Sequence, residues 1–175
     1  PDYELLDFGG GRKLERFGEW VLDRPAPGAD GLPKDSELWQ SATARYTGDR
    51  TTEGIWKPKT WQVPSCELRV KLEQDKSFQL LLSALPSGQV GVFPEQLANW
   101  AWIAKQVGRL ATAKPQAAVK VLNLFAYTGG STFAAACAHA EVTHVDAAKS
   151  MVERARENAK LSGLSDAPIR WIVED

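Results

Sequence analysis

The chain has 175 residues, is 43% hydrophobic and 25% charged, and carries a formal net charge of −1 at pH 7. This length fits one or two domains with a hydrophobic core, and no apolar run is long enough to cross a membrane. The near-neutral charge does not indicate a general nucleic-acid binder, so any RNA contact must come from local patches. No signal peptide is recognisable, and two distant cysteines, Cys66 and Cys137, favour a reduced, cytoplasmic compartment.

Residues 1–93 are predicted to form a β-rich accessory domain. Residues 3–8 and 13–17 flank Gly9-Gly10-Gly11, which predicts a hairpin with a glycine turn. The stretch 29–35 is polar and contains glycine and proline, as expected of a loop. Further short strands are predicted at residues 19–23, 43–46, 54–56, 68–72, 78–84 and 89–93.

Residues 94–116 are predicted to be a connecting helix and linker. Pro94 is acceptable at the start of a helix, and Pro115 disfavours helix just before itself. Between them, apolar residues recur at helical spacing, at Leu97, Trp100, Val107 and Leu110.

Residues 117–175 alternate strands and helices, which predicts the front half of a Rossmann-like α/β fold with parallel strands. The first strand, 119–124, is an apolar run typical of a strand buried on both faces. It leads through Thr128-Gly129-Gly130 into an alanine-rich helix that begins near Ser131. A second strand at 141–146, a helix at 149–161 capped by Ser162-Gly163, and a third strand at 169–173 follow.

The order strand, glycine turn, helix places free backbone N–H groups and the positive end of a helix beside a possible ligand. Asp146 ends the second strand, where a carboxylate can accept hydrogen bonds from ribose hydroxyls. Nicotinamide dinucleotides and S-adenosylmethionine both use this geometry. Tyr127, and Phe133 at the position of the third glycine, argue against a pyrophosphate and favour S-adenosylmethionine. A helix N-cap role for Asp146 is the alternative.

Several segments carry a resemblance to a known family. They are Asn-Leu-Phe-Ala-Tyr-Thr-Gly-Gly at 123–130, Val-Asp at 145–146, Ala-Arg-Glu-Asn at 155–158, Ile-Val-Glu-Asp at 172–175, Gly-Val-Phe-Pro-Glu-Gln at 91–96 and Asn-Trp at 99–100. Together they resemble class I S-adenosylmethionine-dependent methyltransferases, and within that class the group related to the 23S ribosomal RNA large subunit methyltransferases.

The resemblance implies a cofactor site, an RNA substrate and a soluble, cytoplasmic enzyme. Asp175 resembles the family acid that contacts the adenine amino group, although it could equally be a frayed end. Phe93 and Gln96 could line the cofactor entrance or only pack the start of the helix. The implied cofactor-binding residues are Phe93, Gln96, Asn123, Phe125, Tyr127, Thr128, Gly129, Gly130, Asp146 and Asp175.

The family's substrate-side chemistry depends on an Asp-Pro-Pro-Ser-Phe-like segment after the fourth strand, and no such motif occurs in the 175 residues. The catalytic residues, the target base and the methylated atom are therefore unknown. Because the chain starts at Pro1 and lacks this segment, we expect a fragment that is inactive alone and that self-associates through an exposed edge of the first strand. The alternatives are a non-catalytic RNA- or cofactor-binding module and a nicotinamide-dependent oxidoreductase, which the turn sequence disfavours.

A candidate RNA surface combines aromatic and basic residues, which can stack bases and hold phosphates. A solvated face is nevertheless the explanation that the sequence favours, and the RNA surface is the alternative. Its members are Trp39, Arg45, Arg50, Trp56, Lys57, Lys59 and Trp61. We expect His139, His144 and Cys137 to be structural, and we expect no metal site.

Overall fold

The computed structural model describes residues 3–29, 36–48, 54–58, 67–73 and 76–175. The chain forms two compact units, and neither is a continuous segment. The first unit comprises Pro1–Leu68 and Leu81–Gly91, and the second comprises Arg69–Leu80 and Val92–Asp175. The boundaries of these compact units differ from the predicted division of the chain into residues 1–93, 94–116 and 117–175. The predicted division stays a prediction.

The first unit contains a five-stranded sheet with the order β1-β2-β3-β4-β5. The predicted hairpin is confirmed: β1 and β2 are antiparallel, and Gly10 and Gly11 have φ values of 56° and 74°, as a tight hairpin turn requires. A short helix, α1, was not predicted. The elements are β1 (Tyr3–Gly9), β2 (Arg12–Phe17), β3 (Trp20–Pro25), α1 (Ser36–Gln40), β4 (Ala44–Tyr46) and β5 (Trp56–Lys57).

A buried carboxylate ties β2 to β3. Glu15 is fully buried, and its Oε2 lies 2.7 Å from a guanidinium nitrogen of Arg24, which is also buried. Its other oxygen lies 2.9 Å from Lys13 Nζ and accepts a hydrogen bond from the Tyr3 hydroxyl. A buried charge is tolerated only when it is paired in this way.

The Arg24→Met variant should lower the free energy of unfolding by about 3–5 kcal/mol, because it leaves the buried Glu15 carboxylate without its closest cation. The Arg16→Met variant is the matched control, since Arg16 pairs with Glu4 on the surface and should contribute about 0–1 kcal/mol. Urea titrations of both variants measure the difference. Equal losses would contradict the importance of the buried pair.

The second unit contains most of a β-hairpin, a parallel three-stranded sheet and three helices. The sheet order is β10-β9-β8, so β8 is an edge strand of the described sheet. A 3-10 turn at Pro94–Gln96 precedes α2. The elements are β6 (Glu67–Lys71), β7 (Ser77–Leu81), α2 (Leu97–Ala113), β8 (Lys120–Leu124), α3 (Gly130–Cys137), β9 (Glu141–Asp146), α4 (Lys149–Leu161) and β10 (Ile169–Val173).

Helix α2 is part of the core of this unit rather than a free linker. Its Val107 packs in one cluster with residues of α3 and β9, such as Ala135 and Val142. One end of the core is aromatic: the ring of Phe78 in β7 lies 5.6 Å from the ring of Trp100 and 5.7 Å from that of Phe133. Helix α2 and the β7 strand therefore pack on the glycine-turn helix α3.

The expectation that the first parallel strand is buried on both faces is wrong. Leu122 and Leu124 of β8 are 63% and 54% exposed. Helix α3 packs against β8. Along β8, exposed residues alternate with half-buried ones, so one face of the strand is open and the other is partly covered. Self-association through the β8 edge stays a prediction.

The predicted strand at residues 89–93 is also absent. Gly88 and Gly91 have φ values of 79° and 82°, which interrupt an extended strand. The segment is instead held by single backbone hydrogen bonds, such as the one from Ser83 N–H to the Val90 carbonyl. Within the described residues, no helix has the length and apolar character needed to span a bilayer.

Candidate cofactor-binding site

The turn between β8 and α3 has an unusual backbone. Phe125 and Tyr127 have φ values of 53° and 51°, and Gly129 has a φ of 101°. Positive φ is uncommon for aromatic residues and marks a conformation that the surroundings must hold in place. Helix α3 begins directly after this turn, so the N–H groups of its first turn have no intrahelical acceptor and form a positive end.

The two glycines of the turn, Gly129 and Gly130, let the side chains of Phe133 and Trp100 pack directly against the backbone. A Cβ on Gly129 would lie 2.5 Å from Cζ of Phe133, and a Cβ on Gly130 would clash with the indole of Trp100. Phe133 is fully buried. It therefore fills the space beneath the turn and does not face a ligand, so the argument against a pyrophosphate from side-chain bulk rests on Tyr127.

Asp146 connects the end of β9 to this turn. Its Oδ2 accepts a hydrogen bond of 2.8 Å from the backbone N–H of Tyr127, and its Oδ1 accepts one of 2.9 Å from Ala148 N–H. Asp146 is not the N-cap of α4, because Ala148 occupies that position. A carboxylate has about four lone-pair positions, so both oxygens can still accept ligand hydroxyls.

A buried polar layer lies beneath the turn, and sequence reasoning missed it. Thr132 is fully buried, and its hydroxyl oxygen accepts a hydrogen bond of 2.9 Å from the amide of Asn123. The same hydroxyl lies 2.9 Å from Nδ1 of His144, which is also fully buried. The His144 ring lies 4.7 Å from the Trp171 ring, and Nε2 has no hydrogen-bond partner in the described part of the chain.

Helix α4 contributes a second polar contact to the turn. The buried amide of Asn158 donates a hydrogen bond of 2.9 Å to the backbone carbonyl of Thr128. Asn158 belongs to one of the segments that carry the family resemblance, but the residue pattern assigned it no role. A polar residue on the inward face of an amphipathic helix, next to Ala155 and Ala159, was the available signal.

Aromatic side chains border the site on the side of the helix start. The Phe93 ring lies 5.0 Å from the Tyr127 ring, so the structure brings these two predicted residues together. Phe125 is 86% exposed. These rings offer apolar surfaces against which a planar or cationic group can pack.

The remaining two predicted residues have weaker support. Gln96 accepts a hydrogen bond of 2.7 Å from the Asn99 amide one turn later, which favours the helix-start alternative. Asp175 is exposed and lies two residues beyond Val173, the residue that pairs with Asp146 in the sheet. It therefore follows the same edge of the sheet as Asp146, and both explanations of Asp175 stay open.

The histidines and the described cysteine have no arrangement for catalysis. Burial raises the pKa of the Cys137 thiol, which the nearby Lys76 lowers only in part, so the thiolate is disfavoured. His139 is exposed just after α3. Within the described ranges, no group of three or more His, Cys, Asp or Glu side chains could hold a metal ion.

The candidate RNA surface is only partly described, because Arg50, Lys59 and Trp61 lie outside the described residues, as does Cys66. Its Trp39 is a core residue that is 8% exposed and donates a hydrogen bond to Asp7, so Trp39 belongs neither to a stacking surface nor to a solvated face. Trp56 donates to the Leu85 carbonyl, and Arg45 pairs with the buried Asp23. Lys57 is exposed.

The Gly130→Ala variant should lower the free energy of unfolding by about 1–3 kcal/mol, because the added methyl group meets the Trp100 indole. Gly108→Ala in α2 is the matched control. A Cβ there meets nothing within 4 Å, and alanine should stabilise the helix by about 0.5–1 kcal/mol. Urea titrations report both changes, and a neutral Gly130→Ala variant would contradict the close packing.

His144 should make the stability depend on pH. Burial lowers its pKa from 6.5 to about 4, although the Asp146 carboxylate raises it in part. Between pH 6.5 and 4 the unfolded chain binds a proton that the folded chain does not, so the free energy of unfolding falls by up to roughly 3 kcal/mol as the pH drops through this window.

The measurement compares urea titrations of the wild type and His144→Gln between pH 4 and 7. The difference in unfolding free energy between them should shrink toward pH 4 and reach its full value above pH 6.5. His139→Gln, at an exposed imidazole, is the matched control. A difference that does not vary with pH would show that His144 is not held neutral by burial.

Comparison with known proteins supports the resemblance seen in the sequence. A solved S-adenosylmethionine-dependent methyltransferase from Agrobacterium tumefaciens is 39% identical to this chain, with a TM-score of 0.85 over 100% of this chain and 53% of that chain. Ribosomal RNA large subunit methyltransferase I from Aeromonas hydrophila is 29% identical over 107 residues, or 61% of this chain and 25% of that protein. Its namesake from Aeromonas salmonicida is 35% identical over 75 residues, 42% of this chain and 19% of that protein.

No protein-family model matches the chain. The chain spans about half the length of the solved relative and a quarter or less of the curated relatives. The predicted fold is confirmed, a β-rich sheet in the N-terminal part with a Rossmann-like α/β arrangement after it. The chain is similar to class I S-adenosylmethionine-dependent methyltransferases and resembles the ribosomal RNA large subunit group.

Proposed function

We propose that this chain provides the cofactor-binding part of an S-adenosylmethionine-dependent methyltransferase. The observation that carries the proposal is the direct hydrogen bond between Asp146 Oδ2 and the backbone N–H of Tyr127. This bond holds the Asp146 carboxylate next to the glycine turn and the N-terminus of α3. A carboxylate at this position can accept hydrogen bonds from ribose hydroxyls. The 39% identity with a solved S-adenosylmethionine-dependent methyltransferase supports the same ligand.

The residues of the site fit the chemical groups of this cofactor. The free N–H groups at the start of α3 suit the methionine carboxylate, and Asp146 suits the ribose hydroxyls. The Phe93, Tyr127 and Phe125 rings suit the adenine face or the sulfonium cation. Asn123, whose amide is held by Thr132, lies in the strand directly before the turn.

S-adenosylmethionine supplies an electrophilic methyl group, which an in-line displacement transfers to a nucleophile while the C–S electron pair returns to sulfur. The contribution of this chain's residues is to bind and orient the ligand and to exclude water from it. The positive-φ turn is held by the packing of Trp100 and Phe133 against its glycines and by the hydrogen bond from Tyr127 N–H to Asp146. No residue of the described chain is assigned a catalytic role.

We further propose a base in ribosomal RNA as the acceptor, and the Aeromonas relatives support the RNA class because they are named as ribosomal RNA large subunit methyltransferases. A base in a folded RNA must be unstacked or flipped to reach the methyl group. Such a substrate implies a cytoplasmic enzyme. The chain's net charge of −1 means that the RNA must bind a local basic surface.

Calorimetry with S-adenosylhomocysteine and with NAD tests the cofactor. We expect binding of S-adenosylhomocysteine and little affinity for NAD. The Asp146→Ala variant should lose about 1–3 kcal/mol of binding free energy, because ribose hydroxyls are left without their acceptor. Asp146→Asn, which keeps an acceptor oxygen, should lose less.

Asp166→Ala is the matched control, since Asp166 is an exposed acid in the loop before β10. Circular dichroism of the Asp146 variants verifies that the turn region still folds. Tighter binding of NAD than of S-adenosylhomocysteine would overturn the proposed cofactor. An unchanged affinity in Asp146→Ala would remove Asp146 from the site.

A further inference from the structure

A groove of about 680 Å³ lies in the second unit, lined by α2, by the residues just after α3 and by the β6–β7 hairpin. Small residues of α2, such as Ala104 and Gly108, form part of its lining. Lys105 and Arg109 of α2 and Lys76 of the β6–β7 hairpin bring three cations to it, and Glu73 brings one carboxylate. The groove thus has a cationic excess in a chain whose net charge is −1.

The cations of this groove have no carboxylate partners among the described residues. No ion pair involves Lys76, Lys105 or Arg109 in the described ranges. In the first unit, five of the six described sheet cations contact a carboxylate, namely Arg12, Lys13, Arg16, Arg24 and Arg45. Between Glu95 and Glu141 the sequence contains no acidic residue, whereas Lys105, Arg109, Lys114 and Lys120 all fall within it.

Helix stability does not explain this arrangement. Lys105 and Arg109 are like charges four residues apart, which destabilises a helix by about 0.2–0.5 kcal/mol. Gly108 stands between them although a Cβ there would meet nothing, and glycine in a helix interior costs about 1 kcal/mol relative to alanine. Helix α2 is therefore less stable with these residues than it would be with alanine at position 108 and without the pair of like charges. The residues leave two cations next to an open surface.

The groove is within reach of the candidate site along one rigid helix. Trp100 of α2 packs against Gly130 of the turn, and Val107 packs in the cluster that contains Ala136 of α3. Lys105 and Arg109 lie five and nine residues after Trp100, which is roughly 8 and 14 Å along the helix axis. A strand of RNA with one base at the turn could therefore place neighbouring phosphates at these cations.

We propose that this groove binds the phosphate backbone of the RNA next to the methylated base, an inference that rests on the proposed function. Lysine and arginine are the side chains that hold phosphate oxygens through charge-assisted hydrogen bonds. The cations of the groove come from two successive turns of α2 and from the β6–β7 hairpin. This surface differs from the one expected around Lys57.

The test measures binding of a fluorescein-labelled 20-nucleotide polyuridine to the full chain at several KCl concentrations. The Lys105→Gln/Arg109→Gln variant should bind more weakly at 50 mM KCl. The loss of two phosphate contacts should reduce the slope of log K against log salt by about 1.4. Raising KCl from 50 to 200 mM weakens binding in both proteins, and the factor by which it weakens should be about sevenfold smaller for the variant than for the wild type.

The Lys160→Gln/Arg170→Gln variant removes the same two charge types from exposed positions outside the groove and should keep the wild-type slope. Equal slopes for the two variants would overturn the proposal, as would tighter binding of poly-glutamate than of polyuridine to the wild type. Calorimetry with S-adenosylhomocysteine distinguishes failure of this inference from failure of the proposed function. Intact cofactor binding without polyuridine binding overturns this inference alone, whereas absent cofactor binding overturns the proposed function.

Discussion

The packing of Trp100 and Phe133 beneath Gly129 and Gly130 is the constraint on which the candidate site depends. Both rings occupy space that any β-carbon on the glycines would require. The turn can therefore pack closely on these two rings, and the first N–H groups of α3 have no intrahelical acceptor. Phe78 extends this floor from the β6–β7 hairpin, which is why a hairpin distant in sequence belongs to the same compact unit.

A polar layer then holds the turn from its other sides. Asp146 bonds the Tyr127 N–H, Asn158 bonds the Thr128 carbonyl, and Thr132 joins Asn123 to His144. In a low-dielectric interior each such group is costly unless it is paired, so the layer admits few alternative conformations. This explains how Phe125 and Tyr127 can keep positive φ values that aromatic residues rarely adopt.

The sequence predicted the hairpin, the strand–turn–helix order and Asp146 because each depends on local pattern: glycine turns, helical spacing and an acid at a strand end. It did not predict the Thr132–His144 contact or the role of Trp100, since these join residues 12 and 30 positions apart whose partners no local pattern specifies. The strand predicted at 89–93 failed because Gly88 and Gly91 adopt positive φ. The apolar run of β8 predicted burial on two faces, but burial depends on which elements cover a sheet, and a strand's own residues do not determine that.

The two units use their charges differently, and this difference bears on function. In the first unit, the buried carboxylates of Glu15 and Asp23 pair with four cations of the sheet, which are therefore committed to the fold: Arg12, Lys13, Arg24 and Arg45. In the second unit, helix α2 carries cations that no described acid neutralises, on the same helix that supports the glycine turn. Unpaired cations keep their full attraction for an external polyanion, whereas paired ones must first give up a partner. The proposed phosphate-binding surface is therefore better placed on α2 than on the sheet, most of whose cations are paired.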